Sequence, residues 1–208
     1  MLAHRSSTRP ARRGTPAEFL VVGLGNPGAE FAGTRHNVGA DAVVELATRH
    51  GEGRLAPLKR QRALVEEVAI DGHRVALAVP TTYMNDSGSA VVLLVRRFGV
   101  EDPSSLLIVH DELDLPPGTL QVKEGGGLAG HNGLRSVEAH LHTNAFVRVR
   151  VGIGKPRGPG ADHVLGKPSR SDREALAVAT ARAADAVETI VSDGVAAAMN
   201  RFNTRAER

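Results

Sequence analysis

Five polar residues whose side chains suit hydrolytic chemistry lie after, or close to, apolar segments of this chain. They are Asn26, His36, Asn85, Asp111 and Asn132. The apolar runs at residues 19–22, 75–79 and 106–109 have the length and composition of buried strands. Because ligand crevices of open α/β sheets form at the carboxyl ends of the strands, we expect these polar groups to converge at one end of a sheet.

His36 and Asp111 are the two of these residues that can move a proton. His36 stands directly before a predicted helix, and the positive end of a helix dipole disfavours imidazolium, so the ring can act as a general base. A carboxylate at Asp111 can bond the second ring nitrogen, fix the tautomer and stabilise the imidazolium. Two structural alternatives stay open: His36 only covers the helix, and Asp111 belongs to a solvated acidic turn with Glu112 and Asp114 or to a cation site.

Other hydrolytic nucleophiles have little support. Cysteine is absent, which excludes disulfides, thiolate zinc sites and cysteine nucleophiles. No Gly-x-Ser-x-Gly elbow surrounds Ser87, and the nine histidines form no His-Glu-x-x-His motif. The predicted nucleophile is therefore water activated by His36 without a metal. N-capping of predicted helices is the structural alternative for Asn85 and Asn132, and a simple turn is the alternative for Asn26.

Residues 23–28 match the Gly-x-Gly-x-x-Gly fingerprint of dinucleotide-binding folds. That fingerprint requires a helix to begin at once and a second strand to end in an acid about 20 residues later. Here Pro27 removes an amide donor, Gly33 interrupts the next stretch, and residues 43–50 have helical character. A dinucleotide-dependent oxidoreductase therefore remains only as an alternative function, beside a catalytically inert RNA-binding module.

Length and composition indicate a single domain. The 208 residues suit one core, and the net charge is only +3, although 22 of the 26 basic residues are arginine, which binds phosphate bidentately. A GC-rich coding bias explains the arginine excess equally well. No segment carries the roughly 18 apolar residues that cross a membrane, so we expect a cytoplasmic monomer with no obligate protein partner.

Residues 1–18 are predicted to form a disordered basic tail. This segment carries four arginines, Pro10 and Pro16 and a single acid, with no apolar periodicity. A transit peptide is the alternative interpretation. We place the α/β domain at residues 19–203 and a short C-terminal tail at residues 204–208.

Strand and helix patterns alternate along the domain. Strands are predicted at residues 19–22, 63–70, 75–79, 106–109, 120–123 and 146–153, with a hairpin turn at Asp71 and Gly72. Helices are predicted at residues 38–50, 89–98 and 132–141, and a last helix opens at a capping box of Ser171 and Glu174. The pattern predicts a single-domain α/β fold with a twisted mixed β-sheet, helices flanking it, and an active-site crevice at the strand carboxyl ends.

Six short motifs occur in order along the chain. They are residues 22–28 (VGLGNPG), 34–37 (TRHN), 81–85 (TTYMN), 110–116 (HDELDLP), 130–134 (GHNGL) and 151–154 (VGIG). Their order and spacing resemble the bacterial-type peptidyl-tRNA hydrolases, and the resemblance extends from about residue 19 to about residue 202. One such motif arises easily by chance, but six in order do not.

This resemblance implies hydrolysis of the ester that joins a peptide to the terminal adenosine of tRNA, which recycles tRNA after abortive translation without a cofactor. It implies that His36 deprotonates water, that Asp111 stabilises the proton-accepting form of His36, and that Asn26 separates N-blocked peptidyl-tRNA from free aminoacyl-tRNA. The positions that match substrate contacts are Tyr83, Asn85 and Asn132. Asn85 is also a candidate donor to the ester carbonyl oxygen as negative charge develops.

The chain departs from the family at two positions. Phe31 stands where tyrosine is common, so a hydroxyl contact to tRNA or peptide is missing while ring stacking is retained. His163 stands where an aromatic residue is usual, which we interpret as a change in packing. The candidate phosphate contacts are Lys123, Arg148, Arg150, Lys155 and Lys167, and ordinary surface charge is the alternative for each.

Overall fold

Seven strands form one mixed sheet in the computed structural model, which describes residues 16–156 and 160–203. The strands are β1 (Phe19–Gly23), β2 (Ala56–Leu58), β3 (Ala63–Ile70), β4 (His73–Pro80), β5 (Leu106–Glu112), β6 (Leu120–Glu124) and β7 (Val147–Gly152). Their order across the sheet is β2-β3-β4-β1-β5-β7-β6. The central strands β4, β1, β5 and β7 are parallel, so their carboxyl ends meet at one end of the sheet, whereas β2, β3 and β6 pair antiparallel.

Helices cover both faces of this sheet. They are α1 (Val38–His50), α2 (Ser87–Phe98), α3 (Asn132–Leu141), α4 (Gly160–Leu165), α5 (Arg170–Asp193) and α6 (Val195–Phe202). Successive side chains of a strand point to opposite faces, and β1 divides accordingly. Val21 packs in the core under α1, α5 and α6, while Leu20 and Val22 pack in the core under α2 and α3.

Two glycines allow α1 to approach the strand ends that carry the predicted site. A Cβ at Gly23 would collide with the backbone carbonyl of Gly39, and a Cβ at Gly39 would collide with the carbonyl oxygen of Val109. Only hydrogen fits at this crossing, so the first turn of α1 lies directly against the ends of β1 and β5. The first glycine of the Gly-x-Gly pattern therefore serves backbone packing.

The predicted fold class is confirmed, and most of the predicted elements are present. α1, α3 and β3 have the predicted bounds, and α2 begins at Ser87 rather than at residue 89. The predicted capping box of Ser171 and Glu174 is wrong, because α5 begins at Arg170 and its cap is Ser169, whose Oγ accepts the N–H of Asp172 over 3.2 Å. β2, α4 and α6 were missed because elements of 3, 6 and 8 residues are too short to show periodicity.

The ends of the described chain attach to the sheet and its helices. Residues 1–15 of the predicted N-terminal tail and the predicted C-terminal tail lie outside the described residues. Ala17 is buried and donates its N–H to the carbonyl oxygen of Phe98 over 3.0 Å, and Glu18 donates to Arg74 over 2.9 Å. Within residues 16–156 and 160–203, no helix is both long and apolar enough to span a bilayer.

Candidate active site

Separate segments deliver polar side chains to one cavity at the carboxyl ends of the parallel strands. Its volume is about 620 Å³. Seven residues predicted as site residues line it, namely Asn26, Phe31, His36, Tyr83, Asn85, Asp111 and Asn132. They come from the loop after β1, the turn Arg35–Asn37 before α1, the segment between β4 and α2, the end of β5, and the start of α3. The topology therefore brings together groups that are far apart in the sequence.

His36 and Asp111 form the central contact of this cavity. Nδ1 of His36 lies 2.8 Å from Oδ1 of Asp111, and both side chains are buried. An ionised carboxylate only accepts hydrogen bonds, so Nδ1 of His36 carries the proton and donates it. The other ring nitrogen, Nε2, is then unprotonated and is bound by none of the described residues, which leaves it available to accept a proton from a molecule in the cavity.

A second histidine donates to the same carboxylate oxygen. Nε2 of His131 lies 3.0 Å from Oδ1 of Asp111, and Nδ1 of His131 accepts the backbone N–H groups of Gly133 and Leu134 over 3.1 and 3.2 Å. Because Nδ1 is an acceptor, the proton of the neutral ring must be on Nε2. His36, Asp111 and His131, called the His–Asp–His trio below, are thus joined through one oxygen atom.

Asp111 is an anion although it is buried. Burial by itself raises the pKa of a carboxyl group, but the hydrogen bonds that His131 and His36 donate outweigh it and hold the pKa of Asp111 well below its usual range. The preceding residue, His110, is also fully buried, and desolvation lowers its pKa well below the usual histidine value. The ring of His110 is therefore neutral, and its Nδ1–H donates to the backbone oxygen of Asp111 over 2.7 Å.

The trio has the residue types of a metal site but not the tautomers of one. One ligand atom from each of its three side chains lies within 4.8 Å of the others. A neutral histidine that binds a metal through Nε2 carries its proton on Nδ1. Nδ1 of His131 cannot carry one, because it accepts two backbone N–H groups. The three side chains therefore suit a hydrogen-bonded network rather than a metal centre.

Asn26 is held so that only its amide donor is free. Its Oδ1 accepts the N–H of Met84 over 2.8 Å. Its backbone is clamped by Asn37, which accepts the N–H of Asn26 and donates to its carbonyl oxygen, both over 2.9 Å. The Nδ2 group of Asn26 consequently offers hydrogen bond donors at the cavity wall and no acceptor.

Asn85 and Asn132 lie at the cavity and do not cap helices. Asn85 is part of the turn Met84–Asp86, and the N-cap of α2 is Asp86. Asn132 is the first residue of α3, and the capping side chain is that of His131. The N-capping interpretation of the two asparagines is therefore wrong. Both side chains are exposed, and that of Asn132 accepts a hydrogen bond from Arg135.

Aromatic and apolar side chains complete the walls of the cavity. Tyr83 is 60% exposed, and its ring meets that of Phe31 edge to face with the centroids 6.3 Å apart. Val164 and Leu165 come from α4. This helix is held by hydrogen bonds from Arg35, the residue next to His36. Arg35 donates to the carbonyl oxygens of His163 and Gly166 over 3.3 and 3.4 Å and pairs with Asp172 over 2.8 Å.

His163 has a polar partner as well as a packing role. Its Nε2 lies 3.1 Å from the carbonyl oxygen of Ile153, just beyond the end of β7. This contact joins α4 to the sheet, in addition to the contacts from Arg35. The interpretation of His163 as a packing change alone is therefore incomplete.

The predicted phosphate contacts fall into different classes. Arg150 forms a partly buried ion pair with Glu112 over 2.8 Å, which neutralises its charge and leaves it unsuited to a phosphate. Lys155 pairs with Asp114 over 3.4 Å at the surface, and Lys167 is exposed. Lys123 is also exposed, but it lies beside Arg148, the most deeply buried of the candidate cations.

Arg148 is 1% exposed and its guanidinium is only partly satisfied. Nη1 donates to the carbonyl oxygen of Gly127 over 2.8 Å, whereas Nε and Nη2 have no partner among the described residues. Burial, together with the nearby charge of Arg150, lowers the pKa of Arg148. A Cβ placed on Gly126 would stand 3.0 Å from Nζ of Lys123 and 3.3 Å from Nη2 of Arg148, so both cations approach one point. Lys123 and Arg148 are called the basic cluster below.

Sequence reasoning assigned no role to His131 or Asn37, although both lie inside recognised motifs. His131 stands one residue before a helix whose start was predicted at residue 132, which is the N-cap position, and histidine is not a typical cap. A histidine at a predicted N-cap position was the feature of the sequence that could have pointed to a special role for His131. Nothing in the sequence indicates that Asn37 clamps Asn26, because the two residues meet only when α1 crosses the end of β1.

Comparison with known proteins gives a consistent result. The family model for peptidyl-tRNA hydrolase matches residues 20–208. The peptidyl-tRNA hydrolase of Cutibacterium acnes is 48% identical over 198 residues, covering 89% of this chain and 98% of the relative, and that of Rubrobacter xylanophilus is 50% identical over 188 residues, covering 89% and 100%. The crystal structure of peptidyl-tRNA hydrolase from Acinetobacter baumannii superposes with a TM-score of 0.83 at 39% identity, covering 92% of this chain and 97% of that one.

Proposed function

The chain belongs to the peptidyl-tRNA hydrolase family and hydrolyses the ester bond between peptide and tRNA, and we propose that His36 is the general base of this reaction. The observation that carries the proposal is the 2.8 Å contact between Nδ1 of His36 and the buried anion of Asp111. That contact fixes the tautomer in which Nε2 can accept a proton at the cavity. It also places a negative charge where the imidazolium forms.

The reaction proceeds by addition of water and loss of tRNA. Nε2 of His36 removes a proton from water as the water oxygen bonds to the ester carbonyl carbon, and Asp111 stabilises the resulting imidazolium. The tetrahedral intermediate collapses with cleavage of the bond to the ribose oxygen, which takes the proton back from His36. The products are tRNA with a free hydroxyl group and a peptide carboxylic acid, which releases its proton to solvent and becomes a carboxylate. The exposed amide of Asn85 is our candidate donor to the carbonyl oxygen as it gains negative charge.

Asn26 accounts for selection of N-blocked substrates. Its Oδ1 is occupied by the N–H of Met84, so its free Nδ2 group needs an acceptor from the substrate. A peptidyl group supplies an amide carbonyl oxygen at that place. The free ammonium group of an aminoacyl-tRNA is itself a donor, and two donors facing each other leave both unsatisfied.

Substrate binding uses the aromatic wall of the cavity and, apart from it, the basic cluster, whose two residues do not line the cavity. Phe31 and Tyr83 offer aromatic faces and edges for stacking on the substrate, next to the polar contact of Asn132. The basic cluster is our candidate phosphate site, because a phosphate oxygen would satisfy Nη2 of Arg148 and reduce the repulsion between Arg148 and Lys123. We also propose that the protein acts in the cytoplasm, because its substrate arises at the ribosome, and that it does so as a monomer.

The assay that tests this function compares N-acetyl-aminoacyl-tRNA with the same aminoacyl-tRNA left unblocked. The protein should release tRNA from the first and spare the second. Asn26→Asp should narrow the difference, because a carboxylate offers an acceptor to the free ammonium group while its other oxygen still accepts from Met84. Equal use of the two substrates by the parent protein, or an unaltered preference in Asn26→Asp, would refute the role of Asn26.

A further inference from the structure

One carboxylate oxygen in the cavity serves two imidazoles. Oδ1 of Asp111 accepts from Nδ1 of His36 over 2.8 Å and from Nε2 of His131 over 3.0 Å. The side chain of His131 is 7% exposed. Its ring lies 5.2 Å from that of His36, centroid to centroid. The reaction proposed above uses His36 and Asp111 and leaves His131 without a role.

The other ring nitrogen of His131 caps the start of α3. Nδ1 accepts the N–H groups of Gly133 and Leu134, which are among the first amides of that helix and have no partner within it. Protonation of Nδ1 would break both hydrogen bonds and would place a cation at the positive end of the helix. Nδ1 of His131 is therefore occupied as an acceptor, Nε2–H is the donor to Asp111, and the two amides polarise that N–H towards the carboxylate.

We propose that His131 is a positioning residue that sets how strongly Asp111 holds a proton on His36. The inference rests on the proposed role of His36 as the base. A hydrogen bond from His131 draws off part of the negative charge of Asp111, so the imidazolium of His36 is stabilised less than it would be by an unshared carboxylate. His131 also fixes the carboxylate in the orientation that faces Nδ1 of His36. The start of α3 thereby influences His36 through the ring of His131 and the carboxylate of Asp111.

The other ionisable groups around the trio are already engaged. His110 packs edge-on against His131 with the centroids 4.9 Å apart and is neutral. Glu112, next to Asp111, is paired with Arg150, and Arg35, next to His36, is paired with Asp172. Arg148 adds a positive charge near His110. Asp111 is therefore the anion in direct contact with both rings of the trio.

A purely structural role for His131 is the competing explanation, and two substitutions separate the alternatives. Asparagine carries its polar atoms at the δ position, so His131→Asn keeps an acceptor for the amides of α3 but cannot reach Asp111. Glutamine carries its amide at the ε position, so His131→Gln keeps a donor near Oδ1 of Asp111 and loses the cap. Each variant thus retains one of the two functions of His131, either the cap of α3 or the donor to Asp111.

The measurement is the pH dependence of kcat on N-acetyl-aminoacyl-tRNA, with the melting temperature of each variant recorded alongside. In His131→Asn the acid limb should move to higher pH by about half a unit or more, because Asp111 no longer shares its charge, while the melting temperature stays within about 2 °C of wild type. In His131→Gln the acid limb should stay in place, while loss of the cap lowers the melting temperature by about 2–4 °C.

An acid limb that is unchanged or moves to lower pH in His131→Asn would overturn the inference, and so would a shift of equal size in both variants. The His36→Ala variant distinguishes this failure from failure of the proposed function. If His36→Ala is nearly inactive and the limb of His131→Asn does not move, only the role of His131 is wrong. If His36→Ala keeps full activity, the assignment of the base is wrong, and the role of His131 is overturned with it.

Discussion

The His–Asp–His trio and the basic cluster lie on the same domain but differ in how completely their polar groups are satisfied. In the trio, Asp111 accepts two hydrogen bonds, and Nδ1 of His131 accepts hydrogen bonds from two backbone N–H groups. In the basic cluster, Arg148 is buried with Nε and Nη2 unpartnered among the described residues, and Lys123 adds a second positive charge nearby. A buried charge without partners is costly, whereas a satisfied network is rigid.

We expect this difference to separate the groups that react from the groups that bind the substrate. Groups that react must be in position before the substrate arrives, because each misplacement weakens stabilisation of the transition state. Groups that anchor gain most when the ligand supplies the partner that the protein lacks. On this argument, damage to the trio should lower turnover with little effect on affinity, and damage to the basic cluster should do the opposite.

The largest effect should come from His36→Ala. Loss of a general base typically lowers the rate by about 10²- to 10⁴-fold. Affinity for tRNA should persist, since the basic cluster is untouched, and both quantities can be measured on the same preparation. His73→Ala is the matched control, because His73 lies at the start of β4, away from the cavity. A rate for His36→Ala within a factor of two of wild type would remove His36 from the mechanism.

Asp111→Asn should have the second largest effect. The substitution keeps an oxygen that can accept from His36 and His131 but removes the charge that stabilises the imidazolium. A charge-assisted hydrogen bond is worth about 1.5–3 kcal/mol, so turnover should fall about 10- to 100-fold.

The pH profile of Asp111→Asn should also shift, and the direction of the shift follows from the lost charge. The pKa of Asp111 lies well below its usual range, so wild-type Asp111 is anionic throughout the working range of the enzyme and favours protonation of His36. Without the anion, protonation of His36 becomes harder, and the acid limb of the rate profile should move to lower pH. This is the opposite of the shift expected for His131→Asn. Full activity with an unmoved limb would return Asp111 to a structural role.

The trio also marks the limit of what the sequence could predict. His36 and Asp111 were identified because their residue types match proton transfer and because each adjoins a strongly patterned element, α1 or β5. The hydrogen bond from His131 to Asp111 joins residues 20 positions apart on different elements. Local patterns carry no information about such a contact, and it depends on where the residue that caps α3 meets the end of β5.

In the other region, the sequence could not predict which charged side chains are buried or paired. Arg148 and Arg150 alternate along β7 with apolar residues, which is the pattern of a strand with one polar face. Arg148 is nevertheless buried, and Arg150 meets Glu112 from the adjacent strand. A sequence pattern gives the face on which a charge lies, but whether that face is covered or paired depends on the neighbouring strand and on the glycine-rich loop.

The basic cluster should respond to salt rather than to pH. If Lys123 neutralises a phosphate, Lys123→Ala should flatten the log–log dependence of tRNA affinity on salt by about 0.7–0.9, because one condensed counterion fewer is released. Turnover at saturating substrate should remain close to wild type. Lys59→Ala is the matched control, since Lys59 is an exposed lysine between β2 and β3, which lie at the opposite edge of the sheet from β6. A slope equal to that of the Lys59→Ala control would exclude Lys123 from phosphate binding.

The smallest effect should come from Phe31→Tyr, at the rim of the cavity. Phe31 is half-buried, and its ring meets that of Tyr83 edge to face at an interplanar angle of 84°. Tyrosine keeps this contact and adds one hydroxyl group, whose hydrogen bond to the substrate is worth about 0.5–1.5 kcal/mol, so KM should fall by about 2- to 10-fold with kcat unchanged. Phe31→Leu is the control, because it removes the aromatic ring and should raise KM if stacking contributes to binding. A change in kcat for Phe31→Tyr would show that position 31 acts on the chemical step, and the separation between the reacting trio and the binding surfaces would then fail at the rim.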